Sequence, residues 1–369
     1  MISFQPTGEQ EMIRSTVRDF AAGELRELAR GADEDSSLPA ELLQKSWDLG
    51  LISAAIPAAL GGGDLPRSPV TSVLCLEELG SGCASLGAAM MSPSLFVQPL
   101  MDFGTEGQKD EFLPLFTGSS FHSGSMALEE GRFGFDPARL STTVALEDGR
   151  WILNGEKRFV PLGDRASHFL VVAGPGEGGL ERLEALIVPR DTPGLEISDE
   201  PEKTIGFQSL PRVKLTLRNV KLPFQARLGG DRGIDGARLV NSIRLGSAAL
   251  ALGVSRAVTE FAIGYAKERT AFGEPIGKKQ AIAFKLADMY TEVETMRWMV
   301  WKAASQLEQD SDATRSTTLA RDYVNRKAMK IADEGIQILG GHGFIRDFPV
   351  EMWFRNTRAL TLGEGPVAV

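Results

Sequence analysis

Downstream of Gly229, Gly230 and Gly233, three long stretches place apolar residues at helical spacing almost without interruption: Asp235–Arg269, Gln280–Glu308 and Ala313–Leu339. In the first, Val254, Val258, Phe261, Ala262 and Tyr265 line one face. Helices of this length joined by short loops pack as antiparallel neighbours, each burying its stripe against the next. This commits the region to a helix bundle. The preceding region cannot belong to it. From Thr142 the chain reads TTVALEDGRWILNGEKRFV, short β-rich runs punctuated by Asp148-Gly149 and Asn154-Gly155, which suit type I′ hairpin turns. His168–Ala173, Ala185–Val188 and Val213–Leu217 are further predicted strands. The region up to Leu228 reads as a small, mostly antiparallel β domain. Gly174–Gly179 reads as a loop, and its GxG is followed by no helix, so it is not a dinucleotide fingerprint.

The first third is helical. Thr7 with Gln10 forms a capping-box signature, and Met12, Ile13, Val17, Phe20 and Ala21 follow at helical spacing. Ser36, Ser37 and Pro39 announce a helix over Glu41–Leu51, Gly61–Gly63 and Pro66 mark a loop, and helices are predicted at Val70–Leu79 and Glu106–Phe116. The expected class is α+β: an N-terminal helical domain (1–120), a central small antiparallel β domain (121–228) and a C-terminal antiparallel helix bundle (229–369).

Composition narrows the function. Forty Lys and Arg stand against 49 Asp and Glu, a formal charge of −9. Nucleic acid as the main partner needs a basic surface and is not expected. Apolar stretches are broken before the ~18 residues of a membrane span, and polar residues fill the N-terminus where a signal peptide is apolar. The expectation is a cytoplasmic protein with no membrane partner. Cys75 and Cys83 match no redox or zinc spacing and read as reduced thiols in an apolar helix. His122, His168 and His342 are scattered, so no metal site is expected.

Four segments, in order, carry a resemblance: GTEGQKDEFLPLFTGS (104–119), LNGEKRFV (153–160), YAKERTAFGEPIGKKQAIAFKLADM (265–289) and QILGGHGFIRDFPVEMWFRNTRALTLGEG (337–365). The sequence resembles the acyl-CoA dehydrogenase family over essentially its whole length. The resemblance implies α,β-dehydrogenation of an acyl-CoA thioester with FAD. Such chemistry needs a base against the α carbon, a hydride acceptor that no side chain supplies, and donors for developing charge. A carboxylate in an apolar, water-poor pocket would serve as that base. Glu364, in Gly363-Glu364-Gly365, stands where the family's catalytic glutamate stands. Arg244 matches a residue at the substrate site. The alternative base position on the first bundle helix matches Ile243, which cannot be a base. Arg269, Phe272 and Gln280 resemble residues that hold FAD across a subunit boundary. Gln337, Gly340 and Gly341 resemble the loop that receives its pyrophosphate.

The sequence departs from this pattern where the flavin should meet the β domain. Within Ala127–Asp136, Glu129 replaces a threonine, Gly131 a proline and Phe135 a serine. Phe159-Val160-Pro161 stands for Trp-Ile-Thr or Trp-Ile-Ser, and Pro161 has neither hydroxyl nor N–H. Pro366 replaces a threonine after Glu364-Gly365. The half-site offered to a neighbour is intact and the half-site for the chain's own flavin is damaged. This asymmetry resembles one subunit of the α2β2 bacterial acyl-CoA dehydrogenases of steroid side-chain degradation. Two other readings stay open: a homotetrameric dehydrogenase using its own Glu364, and a non-catalytic acyl-CoA- or acyl-carrier-binding protein. An electron-transfer flavoprotein is the acceptor the family implies.

Overall fold

The structure, a computed structural model, describes residues 5–131, 135–174, 176 and 178–369. Arg132–Gly134, in the divergent stretch, and Pro175 and Glu177, in the expected loop, lie outside the described residues.

Thr7 and Gln10 form the capping box as expected and open α1 (Gly8–Phe20), which continues through a π-helical turn at Ala21–Leu25 into α2 (Arg26–Glu34). α3 spans Ala40–Asp48. α4 spans Pro69–Met91, twelve residues past the expected end, and is buried along nearly its whole length. A helix buried on all sides has no polar face, so helical periodicity could not trace it. The same helix corrects the membrane argument: it is long and apolar enough to span, yet it is entirely enclosed as a core helix. Both cysteines lie in it, free and buried, and burial pushes Cys75 up to about 12 and Cys83 to about 11. α5 (Ser94–Phe103), absent from the sequence reading, follows. α6 (Glu106–Phe112) starts on a second capping box, Thr105 with Gln108, and gives way to a 3₁₀ turn at Leu113–Phe116 rather than continuing as α-helix.

The β region holds β1 (Gly124–Ala127), β2 (Thr143–Glu147), β3 (Arg150–Pro161), β4 (His168–Ala173), β5 (Glu184–Pro189), β6 (Leu195–Ile197) and β7 (Arg212–Pro223). One sheet has the order β1-β4-β5 and the other β2-β3-β7-β6. Among the strand pairs of the described residues, β1 runs parallel to β4, a long-range pairing that no turn dipeptide signals, and the other strand pairs are antiparallel. Asp148-Gly149 makes the expected β2–β3 turn, both residues at positive φ. Asn154-Gly155 does not turn the chain. It runs on within β3, opposite a bulge of β7 near Asn219, and Gly155 takes φ +148°, where any Cβ would lie 2.7 Å from Thr142 Cα. Phe169 and Val171 of β4 face the second sheet, while Leu170 and Val172 face the helical core. Burial on both faces explains the unbroken apolar run.

The bundle is α7 (Gly236–Glu268), a tight hairpin of β8 (Thr270–Ala271) and β9 (Glu274–Pro275), α8 (Gln280–Glu308), α9 (Thr314–Leu339), α10 (Gly341–Phe344) and α11 (Val350–Leu360). The three long helices match their sequence bounds to within a residue; α11 was not anticipated. α7 crosses α4 closely because Gly253 and Gly80 meet the opposing backbone. A Cβ at Gly253 would lie 2.1 Å from Glu77 O, and one at Gly80 2.4 Å from Leu250 O. Glu77 and Glu78, buried on α4, are held by Arg256 of α7 and Arg297 of α8, with Arg14 and Arg18 of α1 adding to Glu78.

Candidate active site and cofactor half-sites

Beyond α11 the chain turns through Gly363-Glu364-Gly365 and lies against α7. Small residues are required: a Cβ at Gly365 would stand 2.8 Å from Ser247 Cβ, and one at Gly363 2.5 Å from Glu129 Oε1. Glu364 is 4% exposed. Its Oε2 accepts from Arg244 Nε at 2.6 Å, and its Oε1 from Arg244 Nη2 at 3.3 Å and Arg321 Nη1 at 3.4 Å. Arg321 Nη2 also donates to Gly363 O at 2.6 Å. The expected apolar pocket around Glu364 is therefore replaced by two guanidinium groups. Buried carboxylates require such partners, since an unpaired charge away from water is costly. Arg244, expected at the substrate, here holds Glu364. Arg321 carried no sequence signal, being one arginine on an amphipathic helix.

Glu129 meets the same turn from the β side. Its Oε1 accepts the Glu364 N–H at 2.7 Å and the Gly365 N–H at 3.4 Å. Its backbone is fixed by the Arg158 N–H donating to Glu129 O at 2.8 Å. Burial pushes the Glu129 carboxyl up, with the Glu364 charge adding to this and the two N–H donors opposing it. Beside it, Phe159 bulges out of β3 at φ +54°, between the guanidinium groups of Arg158 and Arg212. Pro161 O accepts from Ser125 Oγ at 2.6 Å. Ile243 is buried, as its apolar character requires. Leu95, Met126, Leu128, Glu129, Arg158, Phe159, Pro161, Ile243 and Gly365 enclose a cavity of only about 20 Å³. That volume holds about one water, whereas ligand pockets run to roughly 300–1,000 Å³. A cavity of that volume is too small for a flavin ring or an acyl chain.

The remaining expected residues gather at the opposite end of α7. Arg269 caps it, Phe272 sits at the β8–β9 tip at φ +54° and 96% exposed, and Gln280 opens α8. Gln337 lies in the last turn of α9, and Gly340 and Gly341 follow at the start of α10. Tyr265 Oη stands 2.8 Å from His342 Nδ1, tying the two groups together. All six named residues are exposed. A guanidinium that can fork onto phosphate, an exposed ring and a glycine pair open to main-chain approach suit a phosphate-bearing aromatic ligand. The 25 steps along α7 from Arg244 to its C-cap Arg269 span about 37 Å at 1.5 Å per residue. Glu364 and Arg269 of one chain therefore cannot grip the same flavin ring.

Three family models match in sequence order: the acyl-CoA dehydrogenase N-terminal domain over residues 7–119, the middle domain over 125–220 and the C-terminal domain over 236–369. A probable acyl-CoA dehydrogenase of Bacillus subtilis, YngJ, is 34% identical over 99% of this chain and 96% of its own. Butyryl-CoA dehydrogenase of Megasphaera elsdenii superposes with a TM-score of 0.89 at 29% identity, over 99% of this chain and 96% of its own. A glutaryl-CoA dehydrogenase of Mycobacterium smegmatis, solved in complex with FADH2, superposes at 0.86 with 27% identity, over 98% and 92% of the two chains. The chain belongs to the acyl-CoA dehydrogenase family.

Proposed function

We propose that this chain is a subunit of an FAD-dependent acyl-CoA dehydrogenase that completes the FAD site of an unlike partner subunit. FAD would supply the hydride acceptor for α,β-dehydrogenation of an acyl-CoA thioester. Arg269, Phe272 and Gln280, with Gln337, Gly340 and Gly341, would hold its phosphate-bearing half from this side of the boundary. The base would belong to the partner. The observation that carries this reading is the contrast within one chain. The six residues expected to hold the phosphate-bearing half are all exposed, while the cavity at Glu129, Phe159 and Pro161 measures about 20 Å³. The α7 span of about 37 Å supports a shared site, since one ligand needs the two halves from different chains.

The test is flavin stoichiometry. The chain is purified in excess FAD, alone and together with a co-expressed second dehydrogenase-like chain, and bound flavin is counted per polypeptide. The expected result is well under one flavin per chain alone and about one per pair of unlike chains. One flavin per chain in a homo-oligomer overturns the reading and restores the homotetramer with Glu364 as base.

A further inference from the structure

Two main-chain N–H groups converge beside Glu364, its own and that of Gly365, and both point at one oxygen, Glu129 Oε1. Paired N–H donors next to a carboxylate are the arrangement that binds a carbonyl oxygen and stabilises it as charge builds. Here an oxygen from the same chain takes both. The contact is tight: Gly363 passes so close that a Cβ would stand 2.5 Å from Glu129 Oε1 and 3.0 Å from Oε2. The carboxylate is aimed there by the segment just after β1, because the Arg158 N–H of β3 fixes the Glu129 backbone and the neighbouring Glu130 bonds instead to buried Lys157. Beyond the turn, the Ala368 N–H donates to Ser94 Oγ of α5 at 2.9 Å and the Val369 N–H to Ser242 Oγ of α7 at 3.1 Å, so the segment stays bonded to the helical core.

We infer that Glu129 is an internal ligand: its carboxylate occupies the donor pair of Glu364 and Gly365, latches the 363–365 turn to the β domain, and excludes an acyl thioester from this chain's own site. This deepens the supporting-subunit reading by naming the residue that closes the site. It also makes Glu129, rather than the lost hydroxyls, the main determinant of closure. A threonine side chain is shorter and would leave the donors free.

Two variants test it in the full chain. Glu129→Ala removes the acceptor. Gly363→Ala leaves Glu129 in place and drives its carboxylate off the turn by contact. Hydrogen exchange of the Glu364 and Gly365 amides is followed by NMR or fragment mass spectrometry. Loss of a hydrogen bond to a charged acceptor should speed exchange about ten- to hundredfold, in both variants. Glu129→Gln, which keeps an acceptor oxygen, should stay within about threefold of the parent. Butyryl-CoA, titrated by calorimetry, should bind Glu129→Ala at least about tenfold more tightly than the parent. Exchange within about twofold of the parent in whichever of the two alanine variants folds overturns the latch. Faster exchange with unchanged butyryl-CoA affinity overturns the internal-ligand role. Neither outcome depends on flavin stoichiometry. Full flavin occupancy with a latched turn would sink the supporting-subunit reading alone.

Discussion

Replacing Arg244 by methionine isolates the ion pair that holds the Glu364 turn. Glu364 has a side chain only 5% exposed, and Arg244 18%. Removing one partner of a buried pair costs about 3–5 kcal/mol when the other is stranded. Glu364 is not fully stranded, since Arg321 still reaches it at 3.4 Å. The longer contact and the partial exposure of Arg244 reduce the expected loss to about 2–3 kcal/mol. At about 2.1 cal/mol/K per residue, 369 residues unfold with an entropy of about 0.8 kcal/mol/K, so the melting midpoint should fall by about 3–4 °C. Differential scanning calorimetry at fixed protein concentration measures this, since association shifts apparent stability. The double variant Arg244→Met with Glu364→Gln removes both charges and should recover all but about 1 kcal/mol. A single-variant shift under about 1 °C, or a double variant no better than the single, would refute the claim that this pair anchors the turn.

In the assembled enzyme, Arg269→Ala should weaken FAD retention about ten- to hundredfold, read by flavin release on dilution, while the melting midpoint of the chain alone stays unchanged. Glu364→Gln should leave turnover of the assembly within about twofold, because loss of a true general base would cost about 10²–10⁴-fold; steady-state rates decide. Gly253→Ala forces a Cβ to 2.1 Å from Glu77 O, and overpacking of about 1–3 kcal/mol or more should lower the melting midpoint by several degrees or abolish folding. Burial pushes the Glu78 carboxyl up, but Arg256, with Arg18 and Arg14, more than reverses this and lowers it to about 2. A carboxyl held below its unfolded value stabilises the fold above about pH 4.5, and this contribution, about 3 kcal/mol, is lost as pH falls from there to 2. Calorimetry between pH 6 and 3 should therefore show a steeper drop for the parent than for Glu78→Gln.

Local regularities were legible where the chain meets water on one side. The capping box at Thr7 and the amphipathic α8 and α9 show their bounds because a polar face alternates with an apolar one, and that alternation survives in one dimension. The Asp148-Gly149 turn was readable for the same local reason: two adjacent residues supply the backbone angles. Family motifs singled out Glu364 and the Arg269, Phe272 and Gln280 group as expectations without any knowledge of distance.

Tertiary structure decided the rest. α4 hides from periodicity because it is buried all round, and the β1–β4 pairing joins segments with no turn between them. Asn154-Gly155 offers the same dipeptide chemistry as a hairpin, but Asn154 pairs with Thr143 of β2 and Gly155 with Leu217 of β7, so the strand runs on through it. Glu129 and Glu364 are 235 positions apart, so neither carries a mark of the other. The sequence showed that Glu129 departs from its family, and only the fold shows what that carboxylate does, because a hydrogen bond depends on separation in space and on the direction of a donor. The same holds for Arg244 and Arg321. Arg321 reads alone as a charge on a helix face and Arg244 was expected at the substrate, and each becomes a clamp on Glu364 only when α7, α9 and the turn after α11 come together.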